Sequence, residues 1–276
     1  MYGIKNLGNT CYMNTVLTTL FNLDPFVKYF GKTKDEDFKN EFCNAFRDAI
    51  NNYHSNTLDI NELYTTIKKY IQTYNSNEQQ DAHQFFLDIL NQLHDNLPPC
   101  FEKSYFEFEN EESKKNFGNR LNIVSELFKG QHCNTITCQN CNYSITRYEF
   151  FFHVDIYSID DFKMSDKIHE VQQYVCDKCK SNNCIKKSKI IYYPLHIVFL
   201  LQNKFFEEIP NSITIGNNKY TLYSISNRVG SPKSGHFFTT IKNESGNWVI
   251  VNDDHVSNIS KMNYKMSYML YYLLDQ

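Results

Sequence analysis

The sequence lacks the features of fibrous, disordered and membrane-spanning chains. Its 276 residues include only 6 Pro and 9 Gly, too few for a collagen-like or low-complexity protein. The longest apolar run, residues 195–201, is interrupted by His196 and is far shorter than the roughly 18 residues of a spanning helix. No apolar secretory core follows the N-terminus. We therefore expect a folded protein with no membrane segment, located inside the cell in the cytoplasm, the nucleus or both.

A charge excess of either sign is also missing. Lys and Arg together number 28 and Asp and Glu 31, so the formal net charge is −3. Domains that bind nucleic acid through phosphates usually carry a basic excess, and we expect no nucleic-acid partner. The 9 Cys are an odd number, which fits a disulfide framework poorly. In a reducing compartment they are expected to be thiols, metal ligands or a nucleophile.

Helical patterns come first along the chain and strand patterns follow. Apolar residues recur at helical spacing from Cys11, preceded by Asn9 and Thr10 as capping residues, and again from 82 to 93. Residues 76–79 have the Ser-x-x-Gln form of a capping box for this second helix. The predicted strands are 195–201, 220–226, 236–242, 247–252 and 268–274. This order predicts an α+β protein with an antiparallel sheet.

Cys11 is a candidate nucleophile because it begins a predicted helix. The helix dipole and the unpaired N–H groups of the first turn both favour a thiolate, which is the reactive form of cysteine. The alternative is a small buried core residue. The polar residues 8–10 before Cys11 favour the nucleophile, and the side-chain amide of Asn6 can donate to a developing oxyanion.

His236 is a candidate base for this thiol, and a hairpin supplies its partner. A two-residue turn centred in 243–246 places Asp253 opposite His236, with Cβ atoms about 4.5–5.5 Å apart. A bulge or a longer loop is expected to favour Asn252 instead. A structural hydrogen-bonding role is the alternative for His236. Cys, His and Asn or Asp together are the parts of a thiol hydrolase.

Two Cys-x-x-Cys pairs predict a metal site. Cys138 with Cys141 and Cys176 with Cys179 provide four thiolates, the ligand set of a structural zinc ion. Four protein ligands leave no open position, so we expect one structural zinc per chain and no catalytic cofactor. Cys133 and Cys184 lie nearby but belong to neither pair.

Several stretches resemble the motifs of the ubiquitin-specific proteases, and they occur in that family's order between about residues 3 and 274. The matching stretches are the cysteine box at 6–15, the second signature helix at 79–85, the histidine box at 235–237 and 248–254, the paired cysteines and the closing strand at 268–272.

The resemblance implies the fold and the activity of that family. The fold is a papain-like right hand in a single catalytic domain spanning 1–276. Its helical thumb is expected at about 1–130, its zinc-bearing β fingers at about 131–190 and its antiparallel palm sheet at about 191–276. The implied activity is that of a cysteine-type deubiquitinase, which cleaves the isopeptide or peptide bond after the C-terminal glycine of ubiquitin. The expected partners are ubiquitin and ubiquitinated proteins, and the expected state is a monomer.

The resemblance also implies roles for the catalytic residues. Cys11 is the nucleophile, His236 the base and Asn252 the third member of the triad. Asn6 corresponds to the oxyanion-hole residue, and Asp253 is an acidic neighbour that shares the third role.

Substrate binding is assigned to the start of the second helix. Asp81 matches the aspartate that holds the extended tail of ubiquitin, and Gln80 is expected beside it. Three features depart from the family pattern, namely Gln84 in place of an acid, Arg228 in place of a common His, and the segment 201–205. They leave open a protease for a ubiquitin-like modifier. A catalytically silent ubiquitin-binding module is the other alternative, and the retained Cys, His and Asn argue against it.

Overall fold

The structure is a computed structural model of the full chain. It describes residues 1–33, 38–54, 60–101, 106–163, 167–170, 174–203, 206–231, 234–259 and 261–275. Residues 204–205, the end of the segment that departs from the family pattern, lie outside the described residues. So do residues 232–233 in the loop before His236.

The first half of the chain is helical, as predicted. Within the described residues, the helix α1 is buried along its whole length, and no helix has the length and apolar content needed to cross a bilayer. The helices are α1 (Cys11–Phe21), α2 (Asp24–Lys32), α3 (Glu41–His54), α4 (Asn61–Tyr70), α5 (Ala82–Asn96), α6 (Glu111–Phe117) and α7 (Ile123–Phe128).

The starts of α1 and α5 differ from the predicted caps. Thr10 is the N-cap of α1, but its side chain forms no capping hydrogen bond and instead accepts one from the Leu7 N–H. Helix α5 begins at Ala82, where the Asp81 carboxylate accepts from two backbone N–H groups of the first turn. The capping box predicted at 76–79 is therefore wrong, because the helix begins only at Ala82 and Asp81 is its N-cap.

The strands form two sheets. A four-stranded sheet has the order β2-β1-β5-β4, and an eight-stranded sheet has the order β11-β10-β9-β8-β12-β6-β3 with β7 paired to β8. The strands are β1 (Gly130–Cys138), β2 (Ser144–Phe151), β3 (Val154–Ile156), β4 (Lys167–Glu170), β5 (Cys184–Tyr192), β6 (His196–Leu201), β7 (Ser212–Ile215), β8 (Asn218–Ser231), β9 (Ser234–Lys242), β10 (Trp248–Asn252), β11 (His255–Asn258) and β12 (Ser267–Leu274).

The large sheet contains the five predicted strands as β6, β8, β9, β10 and β12. It is antiparallel as predicted, apart from β3, which pairs with β6 in parallel. The α+β fold class is thus confirmed, with a small second sheet in the region predicted for the fingers. Strand β3 lies within the residues predicted for the fingers but belongs to the large sheet.

Both faces of the large sheet are covered. Along β6, Val198 and Leu200 join the core shared with the helices, whereas Ile197, Phe199 and Leu201 join a second core on the other face. All six residues of β6 are buried. This double burial accounts for the almost continuous apolar run seen in the sequence.

Helix α1 is attached to the large sheet by buried hydroxyl groups as well as by apolar packing. The Thr15 hydroxyl lies 2.8 Å from that of Thr239 on β9 and 3.3 Å from that of Ser226 on β8. One turn further, the Thr19 hydroxyl lies 2.9 Å from that of Ser224 and also donates to the Thr15 carbonyl. Because buried polar groups are costly when unpaired, these contacts fix how α1 sits on β8 and β9.

We predict that Thr19→Val destabilises the fold by about 1–3 kcal/mol, because it leaves the buried Ser224 hydroxyl without a partner. Ser224→Ala should cost less, since Thr19 keeps the Thr15 carbonyl as its acceptor. Chemical denaturation measures both. Thr65→Val, which removes an exposed hydroxyl on α4, is the matched control and should change stability by less than about 0.5 kcal/mol. Equal losses for all three variants would contradict this reading.

Candidate active site

Cys11 is the first residue of α1 and faces the strand β9. Its side chain is buried, with 4% exposure. The Gln79 side-chain amide donates to its sulfur over 3.9 Å, and the backbone N–H of Phe237 also points to the sulfur. The thiol therefore lies between the loop before α5 and the start of β9.

The resting thiol is not activated by the helix start alone, contrary to the sequence expectation. Burial raises the pKa of Cys11 above its ordinary value, and the nearby Asp253 carboxylate raises it further. The N–H groups of Phe237, Tyr12 and Cys11 itself act in the opposite direction without offsetting the burial. A thiol of this kind needs a base to become a nucleophile.

The base candidate His236 lies at the start of β9, next to Phe237. Its Nε2 is 2.6 Å from the Asn252 Oδ1. Since an amide oxygen accepts hydrogen bonds, this contact places the ring proton on Nε2 and leaves Nδ1 free of a proton. The structure therefore brings Asn252 to the ring in the way that the family alignment predicted.

The hairpin that joins β9 and β10 does not pair as predicted. Its loop has three residues, 244–246, closed by a hydrogen bond from the Asn243 N–H to the Asn247 carbonyl. The extra residue shifts the register from Asp253 toward Asp254 as the residue opposite His236. Pairing of Asn252 with His236 would need a shift in the other direction. Asn252 reaches the ring because β10 ends there and Asp253 turns into a left-handed conformation with φ 51°.

Asp253 contacts the loop before α1 and not the His236 ring. Its Oδ2 accepts from the Asn6 amide at 3.0 Å and its Oδ1 from the Asn14 amide at 2.7 Å. Its backbone carbonyl accepts from the Ile4 N–H at 2.8 Å. Asp253 thus ties the turn after β10 to both the cysteine loop and α1.

Asn6 is held from both ends of its side-chain amide. Its Oδ1 accepts from the N–H groups of Gly8 and Thr10 and from the Thr10 hydroxyl. Its Nδ2 donates one hydrogen to Asp253. The second hydrogen on Nδ2 makes Asn6 a preoriented donor, the arrangement that an oxyanion site requires.

Asp81, predicted to bind substrate, lies at the N-terminus of α5 and makes four contacts. Its Oδ1 accepts from the N–H groups of His83 and Gln84, its Oδ2 accepts from the Tyr268 hydroxyl at 2.6 Å, and the Arg228 Nη1 lies 3.8 Å from Oδ2. Gln80 is half-buried beside it.

Sequence reasoning missed three residues of the site. Gln79 and Asn14 lie inside the matched motifs, so their positions were visible, but their contacts with Cys11 and Asp253 depend on the tertiary fold. Tyr268 begins the matched closing strand, and its hydroxyl donates to the Asp81 carboxylate, which is distant in the sequence. Motif membership was the one signal available for each of them.

The four predicted metal ligands converge between the ends of β1 and β5. The sulfur atoms of Cys138, Cys141, Cys176 and Cys179 all lie within 4.8 Å of one another. The Cys138 and Cys179 sulfurs are 3.5 Å apart and those of Cys141 and Cys176 are 3.6 Å apart. These four cysteines can hold a metal ion.

The other cysteines of this region lie outside the cluster. Cys184 pairs with Cys138 across β1 and β5, and its sulfur contacts the Ser181 carbonyl. Cys133 is buried further along β1. The spacing argument therefore selected, among the six thiols of this region, the four that cluster.

The fold and the Cys–His–Asn arrangement define a papain-like thiol hydrolase, and comparison with known proteins identifies the family. The family model described as ubiquitin carboxyl-terminal hydrolase matches residues 2–272. The chain belongs to this family, and the predicted resemblance to ubiquitin-specific proteases is confirmed.

The individual relatives are distant in sequence. The chain is 25% identical to ubiquitin carboxyl-terminal hydrolase Usp2 of Drosophila melanogaster, over 98% of this chain and 34% of that protein. It is 23% identical to human ubiquitin carboxyl-terminal hydrolase 2, over 99% of this chain and 55% of the relative. It therefore spans between a third and about half of the length of these two curated relatives.

A solved structure with the same fold comes from the SAGA DUB module. Its Ubp8 chain, bound to monoubiquitin, superposes with a TM-score of 0.80 at 22% identity, over 100% of this chain and 69% of that chain. A second structure of this module is bound to ubiquitin aldehyde and also gives a TM-score of 0.80. The predicted right-hand fold of the family is thereby confirmed.

We predict that His236→Ala slows alkylation of Cys11 by iodoacetamide at pH 7 and moves the alkylation profile to higher pH. Without a base, the thiol titrates with the raised pKa that burial and Asp253 impose, so the reactive thiolate appears only as the pH rises through that value. Peptide mass spectrometry measures the modified fraction at each pH. Cys100 in the same digest is the internal reference and should be unaffected. Identical Cys11 profiles for both proteins would contradict the assignment of His236 as base.

Proposed function

We propose that this protein hydrolyses the isopeptide or peptide bond after the C-terminal glycine of ubiquitin. The observation that carries the proposal is that the buried Cys11 sulfur meets the backbone N–H of Phe237, directly after His236, whose ring contacts Asn252. Membership of the ubiquitin carboxyl-terminal hydrolase family supports the substrate. The related Ubp8 structures, which hold monoubiquitin or ubiquitin aldehyde, support ubiquitin as the partner.

In the proposed reaction, His236 Nδ1 takes the proton of the Cys11 thiol. The thiolate attacks the carbonyl carbon of the terminal glycine, and the negative charge moves to the carbonyl oxygen. The Asn6 amide and the Cys11 N–H donate to that oxygen. The imidazolium then gives its proton to the leaving amine, which releases the target and leaves a thioester. Water, deprotonated by His236, hydrolyses the thioester and restores the thiol.

Asn252 and Asp253 have separate roles in this proposal. Asn252 accepts from the ring Nε2–H and so keeps Nδ1 available for the thiol proton. Asp253 holds Asn6 and Asn14, and thereby keeps the oxyanion donor in place relative to α1. The shared third role expected for Asp253 becomes a positioning role one step away from the ring.

The zinc proposal is supported by the chemistry of the four thiols. A tetrahedral ion with Zn–S bonds of about 2.3 Å separates its ligand sulfurs by roughly 3.8 Å, close to the observed 3.5 and 3.6 Å. Backbone N–H groups point to the sulfurs of Cys138, Cys141 and Cys179, which stabilises thiolates. We infer one structural zinc per chain, which fixes the ends of β1 and β5 in the small sheet.

Cys11→Ala tests the activity. It should lower the cleavage rate of a ubiquitin C-terminal fluorogenic substrate by a factor on the order of 10⁴ or more, because the bond-forming group is lost. Ubiquitin binding, measured by titration calorimetry, should persist. Cys100→Ala removes an exposed thiol and is the control with normal turnover. A Cys11→Ala protein that cleaves at the wild-type rate would refute the proposal, and a panel of ubiquitin-like substrates separates the alternative modifiers.

Cys179→Ser tests the metal site. Elemental analysis should find about one zinc per chain in the wild type and a large loss in the variant, because three ligands hold zinc more weakly than four. Ubiquitin capture should weaken, whereas alkylation of Cys11 should be unchanged. Cys133→Ser, which alters a thiol of β1 outside the cluster, is the matched control. Wild-type protein that contains no zinc after preparation without chelators would overturn the site.

A further inference from the structure

A guanidinium lies beside the nucleophile in the cleft between α5 and the large sheet. Arg228 on β8 is the register partner of Phe237 on β9, the residue whose N–H points to the Cys11 sulfur. The Arg228 guanidinium carbon is 5.3 Å from the centre of the Phe237 ring and 5.7 Å from that of Tyr268. Arg228 is therefore separated from the reacting thiol by a single residue.

The acidic group of this cleft is already paired with a cation. A carboxylate offers about four acceptor positions. Those of Asp81 accept from two helix N–H groups and the Tyr268 hydroxyl, and the Arg228 Nη1 lies 3.8 Å from Oδ2 as an ion pair. A cationic side chain of a substrate that approaches this carboxylate therefore meets the positive charge of Arg228.

The pair is nonetheless open to the cleft. The side chain of Asp81 is 38% exposed and that of Arg228 is 18% exposed. Gln79, which contacts the Cys11 sulfur, precedes Asp81 by two residues, so the Asp81–Arg228 pair lies near the thiol. An approaching substrate chain therefore meets the positive guanidinium of Arg228, which is already paired with the negative carboxylate of Asp81.

We propose that Arg228 sets the tail specificity of this enzyme by removing the preference for a basic residue beside the Asp81–Arg228 pair. The inference rests on the proposed function, because it concerns the same cleft. On this proposal, arginines in the ubiquitin tail add little to binding, since Arg228 repels them and is already paired with the Asp81 carboxylate.

Binding to the Cys11→Ala protein tests the proposal without the need for turnover. The Kd is measured by fluorescence polarisation for labelled ubiquitin and for tail variants with each arginine changed to alanine or glutamate. The binding proteins carry Arg228, Arg228→Gln, Arg228→Lys or Arg120→Gln. Arg120 is an exposed arginine that donates to the Leu97 carbonyl, so its variant is a matched change of charge elsewhere.

We expect the protein with Arg228 to bind the arginine and alanine tails within about 3-fold of each other, whereas Arg228→Gln should bind the arginine tail about 5- to 20-fold more tightly than the alanine tail. Arg228→Lys and Arg120→Gln should behave like the parent. The same tail preference with and without Arg228, or loss of affinity for every tail in Arg228→Gln, would overturn the inference. Thermal unfolding and Cys11 alkylation, the latter in the Cys11-containing proteins, establish that each Arg228 variant is folded with an intact site.

The two proposals fail in different ways. If the Cys11 protein cleaves no ubiquitin substrate while the Arg228-dependent tail preference is present in binding, the hydrolase proposal falls and the cleft assignment stands. If cleavage is normal and the tail preference does not depend on Arg228, the cleft assignment falls alone. Failure of ubiquitin to bind to any of the proteins overturns both.

Discussion

The attachment of α1 to β8 and β9 is the contact on which the active site depends. Cys11 lies at one end of this helix and His236 at the start of β9, so the distance between thiol and base is set by how the helix sits on the sheet. The hydroxyl pairs Thr15–Thr239 and Thr19–Ser224 are buried, and a shift of the helix by one residue leaves them unpaired. Apolar packing alone tolerates such shifts better than paired buried hydroxyls do.

A second set of contacts fixes the loop that precedes α1. Asp253 accepts hydrogen bonds from Asn6 and Asn14, and its backbone carbonyl accepts from the N–H of Ile4. The turn after β10 thereby holds the donor for the oxyanion while its preceding residue, Asn252, holds the base. One short turn in the last quarter of the chain therefore positions both the candidate oxyanion donor and the candidate base.

Local patterns predicted the elements, and long-range contacts decided the details. Periodicity located α1, α5 and the main strands, and the cysteine spacing located the metal cluster, because each signal lies within a short segment. The cap of α5 was wrong because the helix begins at Ala82, several residues after Ser-x-x-Gln, where the Asp81 carboxylate accepts from the first turn. The hairpin register was wrong because loop length depends on Gly246 adopting a positive φ. The direction of the Cys11 pKa depends on burial by distant residues, which no local pattern contains.

The charge and the hydrogen bonds of Asp253 act differently on the proposed reaction. Burial is the largest cause of the raised pKa of Cys11, and the Asp253 carboxylate raises it further, so this charge opposes formation of the thiolate. The hydrogen bond to Asn6 has no such opposing effect, because it orients a donor toward charge that develops only on the substrate oxygen. Asp253 therefore acts on catalysis mainly through the geometry of Asn6.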